Sequence, residues 1–278
     1  VKTFYADPSA DDVQDAVATT LFNHWISEVV LQTFEDEGLP YLWWPDVDTG
    51  QVRALKSMLD GRDAENSSGL ASWDPTHQES VFFDDLGTPE VETSDELIVR
   101  ALASALDALR APPSGPGTGG FGTDDMDQWL WGYRHMVQFQ SLLAQVMSPD
   151  DDFGFLIDLF SITPRELPLD EGIPFDDPRA VLPWFPRDGD QMNVDAGDPN
   201  FTRDDWMYAS GPVFRMVIAL GPDGPEGVNV LPGGQSGLVD SPHFADQAAL
   251  WLGNQTLPLL TTPEAVAAAA TERITLHP

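Results

Sequence analysis

The fold is decided by GPVFRMVIALGPDGPEGVNVLPGGQSGLVDSPHFADQAALWL, residues 211–252. Within it, residues 213–220 carry apolar side chains on both faces apart from Arg215, the pattern of a strand inside a sheet covered on both sides. A central position is expected. Residues 227–231 read as a second strand, followed by a turn rich in proline and glycine. Ser241 and Pro242 then begin a helix that Gly253 stops.

Upstream, helical periods dominate. Residues 9–30 place Val13, Val17, Leu21, Trp25 and Val29 four apart, with Ala18, Phe22, Ile26 and Val30 beside them, and Ser9 with Asp12 resembles a capping box. Residues 35–92 are polar and mostly loop, broken by a short helix over 51–59 that ends near Gly61. A stronger helix covers 94–110: Thr93 and Glu96 form its capping pair, Leu97, Ile98, Ala101, Leu102, Ala105, Leu106 and Leu109 its buried face, and Pro112 and Pro113 its end. The run PPSGPGTGGFG at 112–122 is the best hinge, dividing a mainly helical subregion, 1–115, from a strand-contributing part, 116–278. Further strands are expected at 136–140 and 192–196, and a last helix begins at Thr262, Pro263 and Glu264.

Composition narrows the function. The 278 residues, 42% apolar and 10% aromatic, can bury a substantial core. With 46 acidic residues against 13 basic ones the formal charge is -33, which repels a phosphate backbone, so nucleic acid and anionic membrane surfaces are unsuitable partners. The absence of cysteine removes disulfides, thiolate nucleophiles and cysteine metal sites together. No apolar run approaches the ~20 residues of a membrane span, and the start, VKTFYADPSADD, has neither the basic residues nor the apolar core of a signal peptide. Lys2 and Lys56 are the only lysines. Such a surface suits a saline medium; an acidic docking face for a cationic ligand is the functional alternative.

Several groups offer chemistry. Ser236, His243 and Asp246 supply the residue types of a nucleophile, base and orienting acid. A nucleophile elbow, however, needs glycine two places on either side of the serine, and Leu238 stands where the second should be, opposite Gly234. A glycine-rich turn and a helix cap are the plainer reading. DVDTG at 46–50 and the aspartates Asp150, Asp151 and Asp152 have hard oxygen ligands for calcium but no complete loop pattern, which favours solvated acidic turns. His24, His77, His135, His243 and His277 show no metal-binding spacing, so no metal site is assigned. YLWW at 41–44 suits either an apolar pocket or core packing.

GPVFRMVIAL at 211–220, VLPGGQSG at 230–237 and SPHFADQAALWL at 241–252, in that order, resemble the last part of the large (beta) subunit of the penicillin acylase family of N-terminal nucleophile hydrolases. WLWGYRH at 129–135, FPRDGDQMNV at 185–194 and the helix at 97–109 extend the similarity, which covers about 95–278 and places Pro278 where the subunit ends. The resemblance implies an α+β fold, a portion of a four-layer αββα sandwich with a helical subregion. It further implies an exported enzyme, periplasmic or extracellular, without an organic cofactor; calcium on the parent enzyme stays open, with no residue here assigned to it.

Members of this family attack with a serine at the amino terminus of the large subunit, whose own α-amino group is the base. Residue 1 is Val1, and the asparagine pair that supplies the family's oxyanion hole has no counterpart. The chain is therefore expected to carry no catalytic residue and to be inactive alone. It reads as the carboxyl-terminal piece of an amidohydrolase cleaving N-acyl amides of the penicillin or acyl-homoserine-lactone type, its partners being the small subunit, the amino-terminal part of the large one and a small-molecule amide. A non-catalytic acidic scaffolding or binding module derived from such an enzyme is the alternative. Arg215, Gln235, Ser236 and His243 are the structural or supporting candidates. Arg215 is either a buried charge that organises nearby backbone or carboxylates, or an edge residue whose head reaches solvent.

If the charge of -33 reflects a saline habitat, the melting temperature should rise between low and molar salt, because screening relieves repulsion that folding concentrates. A flat or falling melting temperature would count against that origin.

Overall fold

The computed structural model describes residues 10–37, 47–62, 70–115, 117–140, 157, 161–162, 184–187, 189–190, 197, 206–208, 211, 215–222, 224–271 and 274–275. The chain divides into two units: Val1–Val137 with Pro186–Ser210, and Gln138–Phe185 with Gly211–Pro278.

The first unit contains helices α1 (Ala10–Phe34) and α2 (Val47–Asp60), the small antiparallel pair β1 (Trp73–Asp74) and β2 (Glu79–Ser80), helix α3 (Ser94–Arg110), the hairpin β3 (Pro113–Gly115) and β4 (Thr118–Gly119), and β5 (Met136–Gln138). Helix α3 has the expected limits because both ends are chemically marked. Thr93 Oγ1 accepts the Glu96 N–H at 3.3 Å while the Glu96 carboxylate accepts the Thr93 N–H at 2.9 Å, which satisfies donors that the first turn would otherwise leave open. These bonds hold the Glu96 carboxyl below its ordinary pKa. Val29, Val30 and Phe34 of α1, Leu55 and Met58 of α2, Phe83, and Leu97 and Ala101 of α3 form one apolar core. Each large side chain among them contributes about 1.5–3 kcal/mol by leaving water.

Helix α1 corrects the sequence pattern. Val13, Val17, Leu21 and Trp25 are only half-buried, whereas the deepest face carries Ala16, Thr20, Asn23, His24, Ser27 and Val30. The reason is that α1 is covered twice, by α3 and by the 3₁₀ turns Met126–Gln128 and Trp131–Tyr133. Polar groups there bond locally: Thr20 Oγ1 donates to the Ala16 carbonyl at 3.0 Å, and Asn23 Nδ2 to the Thr19 carbonyl at 2.9 Å and to Asp190 Oδ2 at 3.2 Å. Helix α2 also begins earlier than expected, so Val47, Asp48, Thr49 and Gly50 are helical instead of forming an acidic turn. Asp46, YLWW and Asp150 to Asp152 lie outside the described residues, as do Ser9 and the strand expected at 192–196.

The proline and glycine run read as a hinge folds back over the end of α3. Gly120, Phe121 and Gly122 donate their N–H groups to the carbonyls of Pro112, Leu109 and Ala111 at 3.3, 2.7 and 2.9 Å. Gly120 must be glycine: a Cβ would stand 2.2 Å from the Ala111 carbonyl oxygen and 2.3 Å from that of Ala108. The run lies inside the first unit.

The second unit contains β6 (Trp184–Pro186), β7 (Arg215–Gly221), β8 (Gly224–Val230), α4 (Ala248–Leu252), β9 (Leu257–Leu259) and α5 (Pro263–Ala269). An antiparallel sheet is ordered β7-β8-β9, with Arg215 opposite Val230 and Gly221 opposite Gly224. Helix α5 follows its sequence signals, Thr262 Oγ1 accepting the Ala265 N–H at 3.2 Å ahead of Pro263. Two expectations fail. Among the described residues, the strand read as central and covered lies at a sheet edge: Met216, Val217, Ile218 and Leu220 are 50, 66, 49 and 87% exposed. Its pattern records the surroundings that suit it, while the described residues provide one neighbour strand. The helix expected from Ser241 is confined to five residues at α4, because 241–247 is drawn into bonds with the preceding glycine turn.

Burial pushes His24 down to a pKa of about 3, helped by the positive charge of Arg134. Unfolded, it titrates near 6.5. Above 6.5 it is neutral in both states and makes no difference; below that the unfolded chain binds a proton that the folded one refuses, until about pH 3. Between pH 7 and 5, above the range in which most carboxylates titrate, the protein should therefore lose about 2 kcal/mol more stability than His24→Gln. Parallel urea titrations of the two proteins test this, and equal pH slopes would contradict it.

Candidate functional site

In the second unit, the motif residues assemble two turns that interlock. Strand β8 delivers Val230 fully buried, and the chain then runs through Gly233, Gly234, Gln235 and Ser236. Gln247 holds this loop: its N–H donates to the Gly233 carbonyl at 2.9 Å, its Oε1 accepts the Leu231 N–H at 3.0 Å, and its carbonyl accepts the Trp251 N–H at 2.9 Å. The Ser236 N–H donates to the His243 carbonyl at 3.0 Å. Gly234 lies so close to the second turn that a Cβ would be 2.0 Å from the His243 carbonyl oxygen and 2.8 Å from Asp246 Oδ1.

Arg215 combines both of its sequence readings. It sits half-buried on an edge strand, yet its Nη1 donates to the Trp251 carbonyl at 2.7 Å and its guanidinium lies 4.5 Å over the Trp251 ring. Trp251 is buried and meets Phe139 edge-on at 5.7 Å, while Phe139 also packs on Phe185 at 5.3 Å. An arginine fork that reads a carbonyl and stacks on the same residue's ring orients α4.

The three residues of the would-be triad are not wired for attack. Ser236 Oγ accepts the Leu238 N–H at 3.2 Å, and His243 Nδ1 meets Asp246 Oδ2 at 2.8 Å in an exposed pair. Among the described residues no hydrogen bond joins Ser236 Oγ to the His243 ring. Gln235 is exposed. The geometry closes a loop and caps a turn, and without a base at the hydroxyl, serine is a weak nucleophile. Among the described residues, no group of three or more histidine, aspartate or glutamate side chains converges on a metal position.

Sequence reading missed two features. One is Gln247, whose side chain was read only as part of a motif. The other is a buried aromatic and histidine cluster in the first unit, where Trp131 and His135 stack at 4.9 Å, His24 lies 4.2 Å from Trp206, and Trp131 meets Trp206 edge-on at 5.9 Å. His135 Nδ1 donates to the Trp206 carbonyl at 3.0 Å, Trp131 Nε1 to the Gly189 carbonyl at 2.8 Å, and the Arg187 N–H to the His135 carbonyl at 2.9 Å. These bonds run to backbone carbonyls and fix loop positions. The signal was available in WLWGYRH and FPRDGD, which the cluster brings together, but their joint packing cannot be read from either alone.

Comparison with known proteins gives the family of the chain. The penicillin amidase family profile matches residues 7–268. The chain belongs to the penicillin amidase family, a family of acyl-amide hydrolases. It is 26% identical over 266 residues to the acyl-homoserine lactone acylase QuiP of Pseudomonas aeruginosa, an alignment covering 93% of this chain and 26% of that protein. A thermostable penicillin G acylase from Alcaligenes faecalis matches at 16% identity with a TM-score of 0.43, covering 94% of this chain and 38% of the other. This chain thus spans about a quarter of the curated relative's length.

Neighbouring glycines test the interlock of the family motif. Gly234→Ala should cost about 2–3 kcal/mol, since the methyl group meets backbone that cannot swing aside. Gly233→Ala should be nearly neutral, because its Cβ would come no closer than 3.7 Å to the Phe244 carbonyl oxygen. Equal urea midpoints for the two variants would refute the close approach.

Proposed function

We propose that this chain is the carboxyl-terminal part of an N-terminal nucleophile amidohydrolase that cleaves N-acyl amides, of the penicillin or acyl-homoserine-lactone type, in an exported compartment. Membership of the penicillin amidase family supports the reaction class, and QuiP, named as an acyl-homoserine lactone acylase, supports the second of the two substrate types. The reading is carried by β7: a seven-residue strand, apolar on both faces, that is exposed along a sheet edge. Burying such a strand requires further strands and cover, and an αββα sandwich completed by other segments of the parent enzyme supplies both.

Amide hydrolysis needs a nucleophile with a base, donors for the oxyanion and a proton for the leaving amine. In this proposal an upstream segment brings these groups. This chain contributes strands and loops, with Arg215 orienting α4, Gln235 and Ser236 forming the glycine turn, and His243 bracing the second turn through Asp246. These four act by positioning and touch no reacting atom. The acidic surface keeps the assembly soluble in a saline exterior.

The chain purified alone should show no amidase activity, and β7 should exchange its amide hydrogens faster than β8, whose both edges are bonded. Joined to the remaining segments, it should gain activity together with protection of β7, and a co-purifying polypeptide should begin with serine. In that assembly Ser236→Ala should leave turnover unchanged and cost about 1 kcal/mol of stability at most. Covalent labelling of Ser236 by a sulfonyl fluoride, abolished by His243→Ala, would reassign the nucleophile to this chain. Full protection of β7 in an inactive chain that binds no partner would favour a free-standing module.

A further inference from the structure

Beside the β3–β4 hairpin, the first unit has an open pocket of about 470 Å³, a size that accommodates a small organic molecule. Phe121, Tyr133, Leu130, Met136 and Pro113 make its walls apolar and aromatic, and Gly115 and Gly117 expose backbone to it. Gly117 holds φ +65, and a Cβ there would collide with Met207 Sδ at 2.3 Å, so the glycine keeps this wall thin.

Arg134 is the cation of this pocket. It is 4% exposed, and its guanidinium lies 4.2 Å over the Phe121 ring, both residues lining the cavity. Two of its five N–H donors are used, on the carbonyls of Thr118 at 3.2 Å and of Gly120. Its Nε is buried with no hydrogen-bond partner among the described residues. No described carboxylate neutralises it: Asp127, the pocket's acidic lining residue, is exposed and bonds through its N–H to Asp125 Oδ1 at 3.3 Å. Burial pulls the Arg134 pKa down to about 10, which still leaves the group charged at neutral pH. A buried cation that has carbonyl dipoles and a ring but no anion lacks its strongest stabilising partner.

We propose that this pocket binds a small organic carboxylate with an aromatic or apolar body, with Arg134 as its counter-charge. The walls bury the body and the guanidinium fork reads the carboxylate, which a neutral amide of equal shape matches poorly. The site requires no reacting group and is independent of the hydrolase assignment.

Benzoate and benzamide, titrated into the intact protein at pH 7.5 and followed by saturation-transfer NMR and calorimetry, test the proposal. Benzoate should bind saturably and at least tenfold more tightly than benzamide. Gln128→Trp fills the pocket from its exposed rim and should weaken benzoate tenfold or more without changing the melting temperature. Arg134→Met, assayed where circular dichroism shows it folded, should abolish the preference for benzoate over benzamide. Equal affinity for the two ligands would remove the role of the charge. An unaffected Gln128→Trp protein would place binding elsewhere, and a lack of saturable binding would refute the site.

Discussion

Backbone carbonyls turned away from solvent need donors, and in this chain long side chains supply several of them. Arg134 reaches the Thr118 and Gly120 carbonyls, Trp131 the Gly189 carbonyl, Trp129 the Thr123 carbonyl, Trp25 the Ile98 carbonyl and Arg215 the Trp251 carbonyl. A missing donor of this kind costs about 1–3 kcal/mol in an interior that excludes water. This explains a feature of composition. The chain has 11 arginines against two lysines. An ammonium is a compact, strongly hydrated point charge, whereas a planar guanidinium can stack on a ring and still donate to carbonyls, as Arg134 does on Phe121 and Arg215 on Trp251.

The same demand separates what sequence discloses from what it conceals. Helix α3 and helix α5 were legible because their caps are local: Thr93 with Glu96, and Thr262 with Pro263, set limits without tertiary help. The strands β7 and β8 were legible as extended segments, at 213–220 and 227–231, from their apolar and β-branched residues. What stayed hidden depends on distant partners. No period announces that Asn23 and His24 face inward, because Asp190 and Trp206 create that environment from more than 150 residues away. Nor does Ser241 announce that its helix is delayed, since Gly233 and Gln247 divert the backbone first. Within the candidate site, Arg215 was legible as an embedded charge and Gly234 as part of a turn, but the contacts that make them necessary were not.

Charge is partitioned to match. Among the described residues the buried charged side chains are Glu28, Arg134 and Arg187, and His24 is held neutral by its surroundings. Apart from Glu28, no described acidic side chain is buried. The level of the acidic excess can drift with the salinity of the medium while the interior contacts of the family fold are kept, because screened surface carboxylates contribute little individually. The acyl-homoserine lactone acylase that aligns with 93% of this chain shares 26% of the aligned residues with it. The motif glycines, arginine and tryptophans answer to packing, and the rest of the surface answers to solvent.

Strand β7 is the exception to that partition, and it is informative because of what it lacks. Natural sheet edges are guarded by lysine, proline, a bulge or an inward charge that prevents pairing with another strand. The run RMVIALG has no lysine and no proline, its register against β8 is continuous from Arg215 to Gly221, and its one charge is engaged with Trp251 at the strand's start. Left in water, Val217 and Leu220 hold apolar surface that costs about 25 cal/mol per Å², and the free edge invites another strand. A sequence selected to live with this edge exposed would place a charge at one of the outward positions. In the assembly proposed above, this unguarded edge pairs with a further strand, and the apolar residues on its two faces meet the layers that cover them.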